Sequence, residues 1–179
     1  MRQYSRVCAY VDLDAMLFNV RSMKDNLKKE TKIIAVIKTN GYGHGAVPMA
    51  ERLEKEDCIF GYAVATAEEA LELREAGMQK PILILGYVFP EHFEAMIGQD
   101  IRLSVFREDQ LRELAEVAER LGRKAFVHIK VDSAMSRIGV FPDDAGFAFV
   151  KAAMEQEWIE TEGLFTHFAR ADELDKGPV

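Results

Sequence analysis

The stretch IRLSVFREDQLRELAEVAERLGRKAFVHIKVD, residues 101–132, passes from strand to helix and back to strand. Ile101 to Phe106 is a short strand-like run. From Glu108 to Leu121, the residues Leu111, Leu114, Ala115, Ala118 and Leu121 recur at three- and four-residue spacings and form one apolar helix face. Glu108 and Asp109 suit the positive N-terminal end of that helix, Arg120 and Arg123 its C-terminal end, and Gly122 is a natural cap. Lys124 to Asp132 then returns to period two. A strand, a helix and another strand in succession imply a parallel pair joined by a right-handed crossover.

The same alternation runs along the rest of the chain. Ile33 to Ile37 is a β-branched run followed by a helix over Pro48 to Lys55. Cys58 to Ala65 is a second strand, and Ala67 to Ala76 (AEEALELREA) a helix closed by Gly77. Pro81 to Gly86 is a third strand, with a short helix near Glu91 to Ile97. Asp143 to Met154 reads as a helix and Ile159 to Phe168 as the sixth strand. An N-terminal strand and helix are expected within Val7 to Leu27. The fold class is therefore α/β with a parallel sheet, either an open doubly wound sheet or a (β/α)8 TIM-type barrel. A barrel typically takes about 250 residues, and about six βα units are two short of one. The end, Asp172 to Val179, is polar and brings no further helix. An uncovered parallel edge strand is an aggregation hazard, so the expectation is an incomplete barrel spanning 1–179, with no interdomain linker.

Composition narrows the function. Apolar residues make up 49% and charged residues 30% of the 179, the balance of an ordinary globular domain. A net charge of -7 opposes a phosphate backbone, which binds through Lys and Arg, so nucleic acid is not an expected partner. No apolar run approaches the roughly 20 residues that span a bilayer, and Met1 to Tyr10 does not read as a signal peptide; the expected address is cytoplasmic, away from membrane. Cys8 and Cys58 lie in no metal or redox pattern and are expected to be small buried apolar residues.

In a barrel, chemistry gathers at the C-terminal ends of the strands, and three of these carry polar residues. The first is AVIKTNGYGHG, residues 35–45. Lys38 ends an apolar strand, so its amine leaves a partly desolvated position where the neutral nucleophile is accessible, which suits Schiff-base chemistry. Gly41, Gly43 and Gly45 allow a backbone that approaches a ligand closely. A glycine-rich loop with a snorkelling lysine is the alternative. The second is the strand Lys124 to Asp132, whose positions Ala125, Val127, Ile129 and Val131 are apolar while His128, Lys130 and Asp132 share the other face. Such a face is costly inside a barrel unless paired or ligand-binding; an edge strand with its polar face in water is the alternative. The loop Ser133 to Arg137 returns a guanidinium to the same rim, where Arg137 either holds an anion bidentately or stays solvated. The third is GLFTHFA, residues 163–169, where His167 is open to three roles: base, hydrogen-bonding spacer or satisfied core residue.

Together IKTNGYGHG, HIKVDSAMSRIGV and GLFTHFARADE, with YVDLDAMLFNV at Tyr10 to Val20, closely resemble the alanine racemase family of pyridoxal-phosphate enzymes, across essentially the whole chain. The resemblance implies pyridoxal 5'-phosphate as cofactor and racemisation of a small amino acid, L-alanine to D-alanine or another such as serine. It makes Lys38 the Schiff-base lysine and one of two catalytic bases, Tyr42 a hydrogen-bond donor to the cofactor phosphate, and Arg137 the contact to the cofactor's phenolic oxygen and the substrate carboxylate. Lys130 matches a lysine often carbamylated to hold that arginine, and His167 the histidine near the cofactor ring. It further implies D-alanine supply for cell-wall precursors and a homodimer whose partner subunit contributes the opposite base, a tyrosine, from a C-terminal β domain not present in these residues. The chain alone is then expected to bind cofactor weakly and not to racemise efficiently. Ala134 and Ser136 depart from the family, which commonly has glycines there. A single-domain pyridoxal-phosphate binding and homeostasis protein, without racemase activity, is the alternative resemblance.

Overall fold

The computed structural model describes residues 6–172. Six strands, β1 (Ile33–Val36), β2 (Ile59–Val64), β3 (Ile82–Ile84), β4 (Ile101–Val105), β5 (Ala125–Val131) and β6 (Ile159–Thr166), pair in parallel in the order β1-β2-β3-β4-β5-β6. A doubly wound sheet reverses its strand order at a switch point. Here the order never reverses, so successive crossovers wind in one direction and the sheet curls into half of a barrel wall.

The helices α1 (Leu13–Asp25), α2 (Ala46–Leu53), α3 (Ala67–Glu75), α4 (Phe93–Gly98), α5 (Glu108–Leu121) and α6 (Asp144–Glu155) supply the other side of the core. Tyr62, Ile82, Ile84, Leu103, Val127 and Ile129 from the sheet are buried in one cluster with Leu53, Leu73, Phe93, Met96 and Leu114 from the helices. Full burial of a side chain such as Leu114 or Phe93 contributes about 1.5–3 kcal/mol each. The opposite face of the sheet is the concave one, and its apolar residues on β1 and β2 stay open: Ile34, Val36 and Phe60 are 36%, 43% and 41% exposed.

The α5 helix has the bounds its periodicity implies, and Gly122 closes it in the left-handed region at φ +61°. Four expectations change. Residues 7–12 form no strand, and Val7 and Tyr10 lie exposed with no neighbouring strand to pair with. Cys8 is exposed and Cys58 half-buried, so neither is a core residue. The helix after β3 begins as a 3₁₀ turn, Pro90–His92, because proline fixes the first turn without an amide to donate. β6 stops at Thr166, two residues early, which leaves His167 and Phe168 beyond the sheet. The polar end Glu173 to Val179 lies outside the described residues.

Candidate active site

Lys38 follows β1 by one residue and is half-buried. The chain then turns with the hand opposite to an ordinary helix. Thr39, Asn40, Gly41 and Tyr42 have φ of 55°, 51°, 61° and 54°, and Gly43 has φ 84°. For a residue other than glycine this conformation costs roughly 1–2 kcal/mol, and β-branched Thr39 is the least suited to it. Bonds within the turn offset part of that strain: Gly41 N–H donates to Ile37 O at 2.8 Å and Gly45 N–H to Asn40 O at 2.9 Å.

Two side chains fix the turn from outside. The Glu69 carboxylate on α3 accepts Thr39 N–H at Oε1 and Ala65 N–H at Oε2, both at 2.7 Å. It thus ties the residue after Lys38 to the end of β2. Asn40 Oδ1 accepts Ala46 N–H at 2.9 Å, satisfying a free donor in the first turn of α2. Gly41 is buried, and a Cβ there would stand 2.7 Å from Met49 Sδ. Tyr42 projects into solvent, 59% exposed, beside a cleft of about 500 Å³ shared with Tyr10, Asn19 and His44.

At the end of β5, Lys130 is 3% exposed. Its Nζ donates to Val131 O at 3.0 Å and lies 5.1 Å from the centre of the Phe165 ring. Burial holds this amine below the ordinary lysine value; Asp132 raises it in part, and the nearby Arg137 guanidinium lowers it further. The buried Asp132 carboxylate is occupied by the loop itself, accepting Ser136 N–H at 2.9 Å and Arg137 N–H at 3.2 Å. Within that loop Ala134 and Ser136 take φ of 85° and 54°, so the two departures from glycine carry backbone strain. Arg137 is exposed, and its guanidinium has no ion pair among the described residues. Ser133 and Thr166 hydroxyls meet at 2.6 Å and join this loop to β6.

Below this rim, the concave face holds a closed charge cluster. Arg102 donates to Glu162 through Nε at 2.8 Å and Nη2 at 2.9 Å, and its guanidinium lies 4.6 Å over the Phe126 ring. Glu162 also stands 3.7 Å from His128 Nε2. It reaches both because it is the extra residue of a bulge: Val127 pairs with Thr161 while His128 pairs with Gly163. Burial pushes His128 below the ordinary histidine value, against the pull of Glu162 and with the push of Arg102.

Lys38 and Tyr42 therefore share one loop at one side of the half-barrel, and Lys130 and Arg137 form an electrostatically coupled pair at the other. All four sit at the C-terminal ends of strands. His167 is exposed just past β6, adjacent to the second pair in strand order. Glu69 was not singled out by sequence, although Thr66-x-x-Glu69 has the form of a helix capping box. Thr66 Oγ1 does accept Glu69 N–H at 3.4 Å, but the Glu69 carboxylate turns to Ala65 and Thr39 instead. Lys38, the buried Lys130 and the unpaired Arg137 form a cationic donor set whose neighbouring carboxylates, Glu69 and Asp132, are taken up by backbone amides. That set suits a group with several anionic oxygens.

The model of the family described as "Alanine racemase, N-terminal domain" matches residues 11–179. An alanine racemase of Desulforamulus reducens is 42% identical over 170 residues, 95% of this chain and 46% of its own length. One from Methanococcus maripaludis is 39% identical over 170 residues, again 95% of this chain and 45% of its own. The solved alanine racemase of Clostridium difficile 630 in complex with cycloserine superposes with a TM-score of 0.89 at 43% identity, over 92% of this chain and 45% of that one. The chain thus spans about half the length of the relatives it matches. With the family model matched over residues 11–179 and the solved relative superposing on nearly the whole chain, this chain belongs to the alanine racemase N-terminal domain family.

Proposed function

We propose that this chain forms the cofactor-holding part of a pyridoxal 5'-phosphate-dependent racemase that interconverts L- and D-alanine or a similarly small amino acid. The observation that carries the reading is the cationic rim, with half-buried Lys38 just past the end of β1 and the Lys130–Arg137 pair across the curl. When bound, the cofactor supplies an electron sink for the pair of electrons left at the α-carbon as its proton departs.

The protein's residues have separate tasks. Lys38 would hold the cofactor through Nζ, and the same amine would serve as the base that takes or returns the α-proton on one face. Tyr42 would donate its hydroxyl proton to the phosphate. Arg137 would hold the substrate carboxylate and the cofactor's phenolic oxygen through its guanidinium. Lys130 is carbamylated in this reading: its neutral amine adds to carbon dioxide, losing one proton and gaining one negative charge, and the product becomes an anionic partner for Arg137. The low proton affinity of the buried amine favours that addition. His167 would lie near the cofactor ring. The opposite face needs a second base, which belongs to a homodimer partner outside these residues; the cytoplasmic address belongs to the same proposal. No helix among the described residues is long and apolar enough to cross a membrane.

The test is an absorbance titration of the chain with pyridoxal 5'-phosphate, beside Lys38→Ala. A band at the edge of the visible that Lys38→Ala lacks is the expected result, and the same band in both proteins would remove Lys38 from its role. An added mass of one carboxyl group on Lys130 checks the carbamate.

A further inference from the structure

We infer that Glu69 is the positioning residue for Lys38, an inference that rests on the reading of Lys38 as the cofactor lysine. The turn after Lys38 winds through five consecutive left-handed residues, three of them not glycine. A chain in that conformation returns to right-handed or extended backbone unless something outside it holds it. The bonds within the turn close only at Gly41 and beyond. Thr39 N–H belongs to the peptide that leaves Lys38, and it donates outside the turn, to Glu69 Oε1 at 2.7 Å. The second oxygen takes Ala65 N–H at 2.7 Å, just past β2. One carboxylate therefore fixes the ends of β1 and β2 relative to each other, and α3 carries it. Freeing this anchor moves the Cα from which Nζ projects, while the strands beneath keep their pairing.

Gln is the same size as Glu but presents one acceptor, and its amide N–H₂ would face an N–H donor. Asp keeps the charge but falls a methylene short of spanning both amides. Thr66→Ala removes the helix cap without touching Thr39, and so separates loss of local stability from loss of position.

The experiment treats the 179-residue chain with pyridoxal 5'-phosphate and borohydride and reads adducts by peptide mass spectrometry, with exposed Lys28 and Lys55 as internal references. In Glu69→Gln the labelling of Lys38 relative to those two falls about tenfold, a part of the roughly hundredfold that a misplacement of about 1 Å can cost a reacting group, and Thr39 and Ala65 amides lose protection from hydrogen exchange. Thr66→Ala changes neither. Should Glu69→Gln unfold, Glu69→Asp carries the same comparison. Labelling at the wild-type ratio in Glu69→Gln, or an equal loss in Thr66→Ala, overturns the inference. If wild-type Lys38 labels no faster than Lys28 and Lys55, the cofactor reading fails instead. Glu69 is then judged on exchange alone, and unchanged exchange at Thr39 in Glu69→Gln overturns its anchoring role.

Discussion

Replacing Gly41 and Gly43 by alanine, one at a time, separates two costs that the Lys38 loop combines. Both glycines are left-handed, at φ +61° and +84°. At Gly43 no atom lies within 4 Å of the position a Cβ would take, so only the backbone is penalised. That penalty is roughly 1–2 kcal/mol, reduced by a few tenths to one because alanine also restricts the unfolded chain, leaving about 1 kcal/mol. At Gly41 the same penalty applies, and the new carbon meets Met49 Sδ at 2.7 Å and Ala46 N at 3.3 Å. Met49 can swing away, but the amide at the start of α2 cannot. Overpacking of this kind adds about 1–3 kcal/mol, for a total of about 2–4. In a chain of this size each kcal/mol lowers Tm by roughly 2–4 °C, so Gly43→Ala should lose about 3 °C and Gly41→Ala about twice that or more. Urea unfolding followed by circular dichroism is the assay, with an unchanged m value as the sign that stability alone has moved. If Gly41→Ala is no more destabilising than Gly43→Ala, the close approach of the turn to α2 is wrong.

Two further outcomes concern the charge cluster on the concave face. Arg102→Met should cost about 2–3 kcal/mol by urea titration, below the 3–5 typical of a fully buried broken pair because Glu162 keeps some solvent and His128; an unchanged midpoint would mean that Glu162 has other support. His128 is held below its ordinary value of 6.5, so in the window just under that value the folded state binds fewer protons than the unfolded one. Stability should therefore rise with pH through that window and fall as pH drops through the folded value. In His128→Gln that part of the pH slope should disappear, as urea midpoints across a pH series would show.

The α5 helix was legible because propensity, period and both caps agree on one answer, and nothing distant opposes it. Lys130 was legible because strand parity sets it on the polar face of β5, and Lys38 and Arg137 because each follows the C-terminal end of a strand. The strand expected near Val7 was not, since a strand exists only by pairing and no edge comes near it. Glu69 was hidden for a similar reason: its two partners are 30 and 4 residues away, and the capping pattern at Thr66 gives a sufficient local account of the same side chain. The left-handed turn was half legible. Glycines at 41, 43 and 45 announce positive φ, but nothing in Thr39, Asn40 or Tyr42 says that the residues around them follow. Glu162 escaped because its reach to Arg102 and His128 comes from a bulge, which shifts register without marking the sequence.

The turn after Lys38 also bears on how the protein ages. Asn40–Gly41 is the dipeptide most prone to spontaneous deamidation in a flexible chain, through attack of the glycine nitrogen on the asparagine side-chain carbonyl. Here that nitrogen donates its proton to Ile37 O, and the carbonyl oxygen is engaged by Ala46 N–H. The backbone hand that displays Lys38 therefore also keeps these two reactants apart in their own hydrogen bonds. Chemical decay at Asn40 becomes a record of how often the loop has opened.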